Sequence, residues 1–79
     1  MELKLEPSKY SAEMVRATRQ LLQASQAVFA RFLGVSVKTV RSWEQGINAP
    51  KDVAARFLDE IRRNPDYWRS RIRESIVVK

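Results

Sequence analysis

The chain of 79 residues contains neither cysteine nor histidine. Without cysteine it can form no disulfide and no thiolate metal site. Without histidine it lacks the commonest general base, nucleophile activator and zinc ligand. A zinc finger and a histidine-dependent hydrolase are therefore excluded. Because only scattered carboxylates and lysines remain for catalysis, we expect no enzyme activity, no cofactor and no metal ion.

Long apolar runs are also absent, and acidic residues are few. No segment approaches the roughly 20 apolar residues that span a bilayer, and the start, "MELKLEP", has no apolar signal-peptide core. Nine acidic residues stand against 15 basic ones, for a net charge of +6. Such an excess favours nucleic acid or an anionic membrane surface, with solubility alone as the plainer explanation. The length is that of one domain, and the lack of cysteine fits a reducing cytoplasm.

Serine, glycine and proline residues divide the chain into five predicted helices. Ser11, Ser25 and Ser36 each stand before a helical pattern, in the position of an N-cap. Gly34 ends the second helix where a left-handed residue is favoured, and Gly46 closes the third. The predicted helices cover residues 11–22, 25–33, 36–45, 50–63 and 65 to about 76. The pattern therefore predicts an all-α fold.

Apolar positions mark one face of each of the last two predicted helices, and Trp68, Ile72 and Ile76 among them should close the core or a homodimer. The apolar positions are Val53, Ala54, Phe57, Leu58 and Ile61 in the fourth helix, and Tyr67, Trp68, Ile72 and Ile76 in the fifth. Val28 and Phe32, an i, i+4 pair, either pack on these helices or form a surface for a partner. Arg69, Arg71 and Arg73 form a solvated face or, in the alternative, contact phosphates.

The second and third predicted helices are joined by the tight turn at Gly34, which is the pattern of a helix-turn-helix. The outer face of the third helix carries Lys38, Arg41, Ser42 and Gln45. These positions are spaced i, i+3, i+4 and i+7, so they lie on one side of a helix. Val40 and Trp43 lie opposite and should pack inward. The alternative is an ordinary solvated amphipathic helix.

The chemistry of this outer face fits double-stranded DNA. The N-terminal residues of such a helix come nearest the base edges, which favours Val37, Lys38 and Ser42, with Arg41 and Thr39 at the flank. Lysine and arginine donate to guanine O6 and N7, serine is permissive, and valine can contact a thymine methyl. Residues 25–51 hold four cations and one anion, a net charge of +3.

The string "SQAVFARFLGVSVKTVRSWEQGINAP" (25–50) closely resembles the helix-turn-helix core of the Cro/phage-repressor (Xre-like) family. The shared marks are Ser25-Gln26, Phe29-Ala30, Leu33-Gly34-Val35-Ser36, Thr39-Val40, Trp43-Glu44, Gly46 and Pro50. The stretch "RATRQLL" (16–22) looks like the first helix of the family. The resemblance covers about residues 15–63. It implies a five-helix lambda-repressor-like domain that regulates transcription, as a repressor, by binding DNA as a homodimer.

The resemblance also implies roles for single residues. The base-reading positions are Val37, Lys38, Ser42 and Arg41, and the positions that contact DNA phosphates are Gln26, Ser25, Thr39 and Lys51. Glu44 should form an ion pair with Arg19 of the first helix. Three positions depart from the family pattern: Gln23 stands where a glycine is common, Thr18 where an apolar residue is common, and Val28 where an exposed polar residue is usual.

A narrower resemblance concerns the partners. The stretch "SWEQG…P" followed by "FLDEIRRNP" is similar to the small regulators and antitoxins of toxin–antitoxin operons. Such proteins repress their own promoter and often bind a toxin through residues outside the DNA-reading core, so a toxin protein is a candidate partner. The rival hypothesis is a protein-interaction module, for which the outer face of the third helix should be acidic or apolar. Here that face carries Lys38 and Arg41.

The chain therefore divides into three predicted parts. Residues 1–9 form an N-terminal arm, residues 10–65 the helix-turn-helix domain, and residues 66–79 a C-terminal helix or tail for packing or dimerisation. Either end could bind a protein partner. "ELKLE" (2–6) and "SIVVK" (75–79) could instead be extended and pair as edge strands across a dimer. Membrane binding is disfavoured, because basic and apolar residues do not separate into one long amphipathic surface.

Overall fold

The computed structural model describes residues 10–76 and shows five α-helices, with no strand in this range. The helices are α1 (Ala12–Leu21), α2 (Gln26–Leu33), α3 (Val37–Glu44), α4 (Asp52–Arg63) and α5 (Pro65–Ile76). The predicted all-α, helix-turn-helix fold is thereby confirmed. The arm of residues 1–9, its predicted strand at 2–6 and the last three residues lie outside the described part. Ser75 and Ile76 end α5, so the helix predicted there is confirmed and the alternative of an extended segment at 75–79 is wrong for these two residues.

The serine caps form as the sequence predicts. The hydroxyl oxygens of Ser11, Ser25 and Ser36 accept hydrogen bonds from the backbone N–H three residues later, at 3.1 Å in each case. Each bond satisfies one of the free N–H groups in the first turn of a helix. Gly34 lies at φ +80°, the left-handed conformation that a glycine tolerates best, and ends α2. The turn between α2 and α3 is therefore set by local chemistry.

The start of α4 differs from the prediction. The helix begins at Asp52 and not at Pro50, because Lys51 is extended (φ −131°, ψ 158°) and acts as N-cap without a side-chain bond. Pro50 is buried in the preceding loop. The described residues 45–51 thus form one connection between α3 and α4.

One core holds the helices together. Its buried apolar residues are Tyr10, Val15, Leu22, Phe29, Ala30, Val40, Trp43, Ala55, Leu58, Ile61 and Ile72. α3 packs against α1 and α2, α1 also packs against α4, and α5 packs against α2 and α4. Trp43 is only 6% exposed, so the prediction that it anchors α3 inward is confirmed.

Two of the predicted apolar positions do not face the core. Val53 is 81% exposed, and Ala55, which the prediction omitted, is buried in its place. Residues 53 and 58 are about 140° apart around a helix at 100° per residue, so Val53 turns away when Leu58 faces the core. Tyr67 is 51% exposed, although its ring still touches that of Trp68 at 4.9 Å between centroids.

Aromatic rings close the core beneath α5. The ring of Phe32 lies 5.8 Å from that of Phe57 and 6.2 Å from that of Trp68, and the last two rings meet edge to face at 5.1 Å. Val28 is half-buried against the same core. Packing on the C-terminal helices is therefore confirmed for Phe32, whereas a partner surface at Val28 stays a prediction.

The three arginines of α5 do not form one solvated face. The Nε atom of Arg69 donates to the carbonyl oxygen of Leu21 at 2.9 Å, at the end of α1, while Nη1 of the same residue pairs with Asp66. Arg71 is exposed and pairs with Glu74, and Arg73 reaches Gln23 at 3.4 Å. The prediction is wrong for Arg69, because its side chain joins α5 to the turn after α1.

Candidate nucleic-acid interface

The first turn of α3 is built from Ser36 and Thr39. Besides capping the N–H of Thr39, the hydroxyl of Ser36 lies 2.9 Å from the hydroxyl of Thr39. The N–H of Val35 donates to the carbonyl of Ala30 at 3.0 Å, which closes the turn that follows α2. The start of α3 is therefore held close to the end of α2, as a helix-turn-helix requires.

The last residue of α3, Glu44, is held by donors from two other helices. Its carboxylate accepts from Nε of Arg19 at 2.7 Å and from Nη2 of the same residue at 3.0 Å. Nε2 of Gln26 donates to Oε1 of Glu44 at 3.0 Å, and Nη2 of Arg16 donates to the Glu44 carbonyl at 2.8 Å. The predicted partners Arg19 and Glu44 thus form a bidentate ion pair, the strong form of such a contact. We call these four residues the Glu44 cluster.

The Glu44 cluster keeps its carboxylate ionised although Glu44 is only 6% exposed. Burial alone would raise the pKa of Glu44, but the hydrogen bonds from Arg19 and Gln26, together with the positive charges of Arg19 and Arg16, hold the pKa below its ordinary value. The hydrogen bond to Glu44 correspondingly raises the pKa of Arg19. At neutral pH both partners are therefore charged, and their charges neutralise each other.

This neutralisation matters for the surface. Glu44 is the one acidic residue of the segment 25–51. The cations of that segment are Arg31, Lys38, Arg41 and Lys51, and all four side chains are exposed. Since the single carboxylate is buried and paired, the solvent-facing charge of this segment is entirely positive. A surface of this kind attracts polyanions by long-range electrostatics.

The outer face of α3 borders an open depression of about 440 Å³. Its lining consists of Lys38, Thr39, Ser42, Trp43, Asn48, Ala49 and Lys51. Four residues predicted to contact DNA, from α3 and from the N-cap of α4, are brought together here. Arg41 is exposed on the same helix but does not line the depression.

The remaining predicted residues have contacts within the protein. Val37 is half-buried and packs on the core, which leaves part of its side chain for a base. Ser25 caps α2, and Gln26 donates one amide hydrogen to Glu44, so its second amide hydrogen is the one left for a phosphate. Of these contacts, the cap by Ser25 follows from the sequence, whereas the bond from Gln26 to Glu44 was not expected.

Two residues of the site, Asn48 and Arg16, were not predicted from the sequence. Asn48 lies in the depression, where its Nδ2 atom donates to the hydroxyl of Ser42 at 3.2 Å. Arg16 stands three residues before Arg19 on the same face of α1, a spacing that could have pointed to a shared target. Asn48 gives only a weak signal, since it lies in a loop whose path depends on the turn at Gly46 (φ +78°).

Residues 10–76 offer neither a metal site nor a membrane span. This range contains no group of three or more acidic, cysteine or histidine residues that could hold a metal ion. It also contains no helix that is long and apolar enough to cross a membrane.

Fold and surface together define the class as an all-α helix-turn-helix domain with a cationic outer face on α3. Over 56 residues the chain is 34% identical to the antitoxin HigA-2 of Vibrio cholerae serotype O1. The match covers 71% of this chain and 54% of the relative, so the chain spans about half the length of the curated relative that it matches. No family model matches the chain.

Proposed function

We propose that the protein is a sequence-specific regulator of transcription that binds double-stranded DNA and reads the major groove with α3. The observation that carries the proposal is the outer face of α3, where Lys38, Thr39 and Ser42 line one depression with Lys51. Lysine and serine are suited to base edges and phosphates. The similarity to an antitoxin supports a regulator over an enzyme.

The proposed roles follow the arrangement of side chains. Lys38, Ser42, Arg41 and the exposed part of Val37 read base edges, while Ser25, Gln26, Thr39 and Lys51 contact phosphates. The Glu44 cluster holds the far end of α3, so that the outer side chains keep their direction. Residues 10–65 form the DNA-binding unit, and residues 66–79 serve packing or dimerisation.

We further propose that the protein represses transcription as a homodimer on a palindromic site. Two copies of α3 would then enter successive major grooves, with half-site centres roughly 34 Å apart. Selection of bound sites from a random duplex library, at a stated salt concentration, tests this. A palindrome with that spacing supports a dimer, a single half-site contradicts it, and the absence of any enriched sequence contradicts sequence-specific binding.

Two substitutions separate base reading from phosphate contact. Lys38→Ala should weaken specific binding by about 1–3 kcal/mol and relax the preference at one base pair. Gln26→Ala should weaken specific and non-specific binding alike, because phosphates carry no sequence information. Fluorescence anisotropy with a selected duplex and a scrambled duplex measures both. A uniform loss for Lys38→Ala, or a loss confined to the selected site for Gln26→Ala, would reverse the assigned roles.

The second candidate function is binding to a protein toxin, which the name of the matched relative supports. The candidate surfaces are residues 1–9 and 66–79, and within the latter the ring of Tyr67 is half exposed. Size-exclusion chromatography with the product of the adjoining gene tests for a complex. A complex that survives in Lys38→Ala and is lost in Tyr67→Ser would support a partner surface on α5, separate from the DNA-reading face.

A further inference from the structure

The loop after α3 is wound around a single residue, Ser42. The carbonyl oxygen of Ser42 accepts from the N–H groups of Ile47 at 3.0 Å and Asn48 at 3.4 Å. The hydroxyl oxygen of Ser42 accepts from Nδ2 of Asn48 at 3.2 Å. Gly46 makes this return possible, because its φ of +78° reverses the chain directly after α3. The side chain of Asn48 is thereby held beside that of Ser42 by the backbone of its own loop.

The bond from Asn48 changes what Ser42 can offer to a ligand. A serine hydroxyl has one hydrogen to donate and two lone pairs that accept. In residues 10–76 the hydroxyl oxygen of Ser42 accepts from Asn48, and its own hydrogen has no acceptor. An accepted hydrogen bond also polarises a hydroxyl and makes it a better donor. Ser42 therefore faces the depression with its hydrogen free and one of its two lone pairs occupied, which favours donation over acceptance.

We propose that Asn48 is a positioning residue, which makes Ser42 a hydrogen-bond donor toward the base that it meets and so sets sequence preference at that position. The inference rests on the proposed function, because it concerns how the same face reads DNA. The inference narrows the role of Ser42, because a serine without such a partner can donate to or accept from any base.

The base chemistry gives a definite expectation. In the major groove, guanine, adenine and thymine each present at least one acceptor, whereas cytosine presents only the N4 amino donor. A serine fixed as a donor should therefore disfavour cytosine at its position. The discrimination should be roughly two- to ten-fold, the usual contribution of one hydrogen bond.

The decisive variant is Asn48→Asp. Its carboxylate can only accept, so it takes the hydrogen of Ser42 and leaves that hydroxyl with lone pairs for the base. Ala49→Asp is the matched control, because it adds the same negative charge to the lining of the same depression without replacing Asn48. Asn48→Ala removes the partner altogether and should leave Ser42 with little preference.

Random-duplex selection at one fixed salt concentration provides the readout. The position read by Ser42 is the one whose preference disappears in Ser42→Ala. There, Asn48→Asp should raise the share of cytosine roughly two- to ten-fold over wild type, whereas Ala49→Asp should weaken binding and leave that share unchanged. Asn48→Asp in the Ser42→Ala background should have no effect on this position. The inference is overturned if Asn48→Asp and Ala49→Asp behave alike, or if wild type already prefers cytosine there.

A second measurement needs no DNA. The side-chain amide of Asn48 gives its own ¹⁵N–¹H resonances, and Ser42→Ala should move them if the hydrogen bond exists. Unchanged resonances would overturn the inference and leave the proposed function untouched. Wild-type protein that enriches no duplex would overturn both.

Discussion

The helices α3 and α5 are held in place by different means. α3 has eight residues and buries Val40, Trp43 and Glu44, with the last of these bound by α1 and α2. α5 has 12 residues, yet among its described side chains only Ile72 is buried. Edge-to-face rings and the bond from Arg69 supply much of the remaining attachment. The helix proposed to read DNA is thus the more firmly placed of the two, and we expect α5 to open locally at lower free energy.

The largest expected effect is on the inner face of α3. Trp43→Ala should lower the free energy of unfolding by about 3–5 kcal/mol, because a buried aromatic side chain leaves a cavity. Urea unfolding followed by circular dichroism measures it. Val53→Ala, at an exposed position, is the control and should change stability by less than about 0.5 kcal/mol. Equal effects would mean that Trp43 is not an anchor.

Removing Arg19, the cation that pairs with the Glu44 carboxylate, should have the next largest effect. Arg19→Ala leaves a buried carboxylate without its main partner, and we expect a loss of about 3 kcal/mol at pH 7. In wild type the lowered pKa of Glu44 stabilises the fold above the ordinary pKa, and this contribution is lost as the pH falls through the lowered value. In the variant, burial raises the pKa of Glu44, so protonation relieves the penalty.

The difference between wild type and Arg19→Ala should therefore be largest at neutral pH and shrink toward pH 3. Urea titrations at both pH values test this sign. Arg31→Ala removes the same charge from an exposed position and should show neither the loss nor its pH dependence. A constant difference across the pH range would contradict the role assigned to the buried carboxylate.

A smaller effect should distinguish the arginines of α5. Arg69→Ala removes a bond to the Leu21 carbonyl and should cost about 1.5 kcal/mol, the value for a hydrogen bond to a charged group. Arg71→Ala breaks only an exposed pair with Glu74, worth about 0.5 kcal/mol or less. Amide hydrogen exchange in α5 should likewise be accelerated more by Arg69→Ala than by Arg71→Ala. Equal losses of stability in the two variants would mean that the arginines of α5 form one solvated face after all.

The smallest change is expected in the turn on which α5 rests. Gln23 adopts φ +56°, a conformation that costs a residue with a side chain about 1 kcal/mol. Gln23→Gly should therefore raise the free energy of unfolding by roughly 0.5–1 kcal/mol, even though it removes the 3.4 Å contact with Arg73. Gln20→Gly, inside α1, is the control and should lower stability by about 1 kcal/mol. A loss in both variants would show that the contact with Arg73 outweighs the strain.

Much of the fold could be predicted because its signals are local. A serine cap acts over three residues and a left-handed glycine over one, so the ends of α2 and α3 follow from short stretches of chain. The sequence also showed that Gln23 stands where the resembled family commonly has a glycine. The positive φ of Gln23 gives the physical reason, because glycine adopts that conformation without strain. The buried face of the fourth helix was harder to predict from the sequence, because residues 53, 57 and 61 also fit a helical spacing. Contact with α1 selects the face with Ala55 and Leu58.

The candidate site divides in the same way. Lys38, Arg41 and Ser42 follow from helical spacing, and Trp43 follows from the opposite face. The donors that hold the site could not be derived so simply, since Arg16 and Glu44 are 28 residues apart and Gln26 and Glu44 are 18 apart. A hydrogen bond over such a separation leaves no periodic signal.

By itself, then, the sequence determined the five helices, the turn at Gly34 and the polar face of α3, because caps, glycine conformations and helical spacing act within a few residues. Only the tertiary structure decided that Arg16 and Gln26 would join the pair of Arg19 and Glu44, that Val53 and Tyr67 would face solvent, and that Asn48 would lie beside Ser42. Those outcomes depend on which helix faces pack together and on the path of the loop after α3. Both are set by the packing of the whole core and not by any short stretch of sequence.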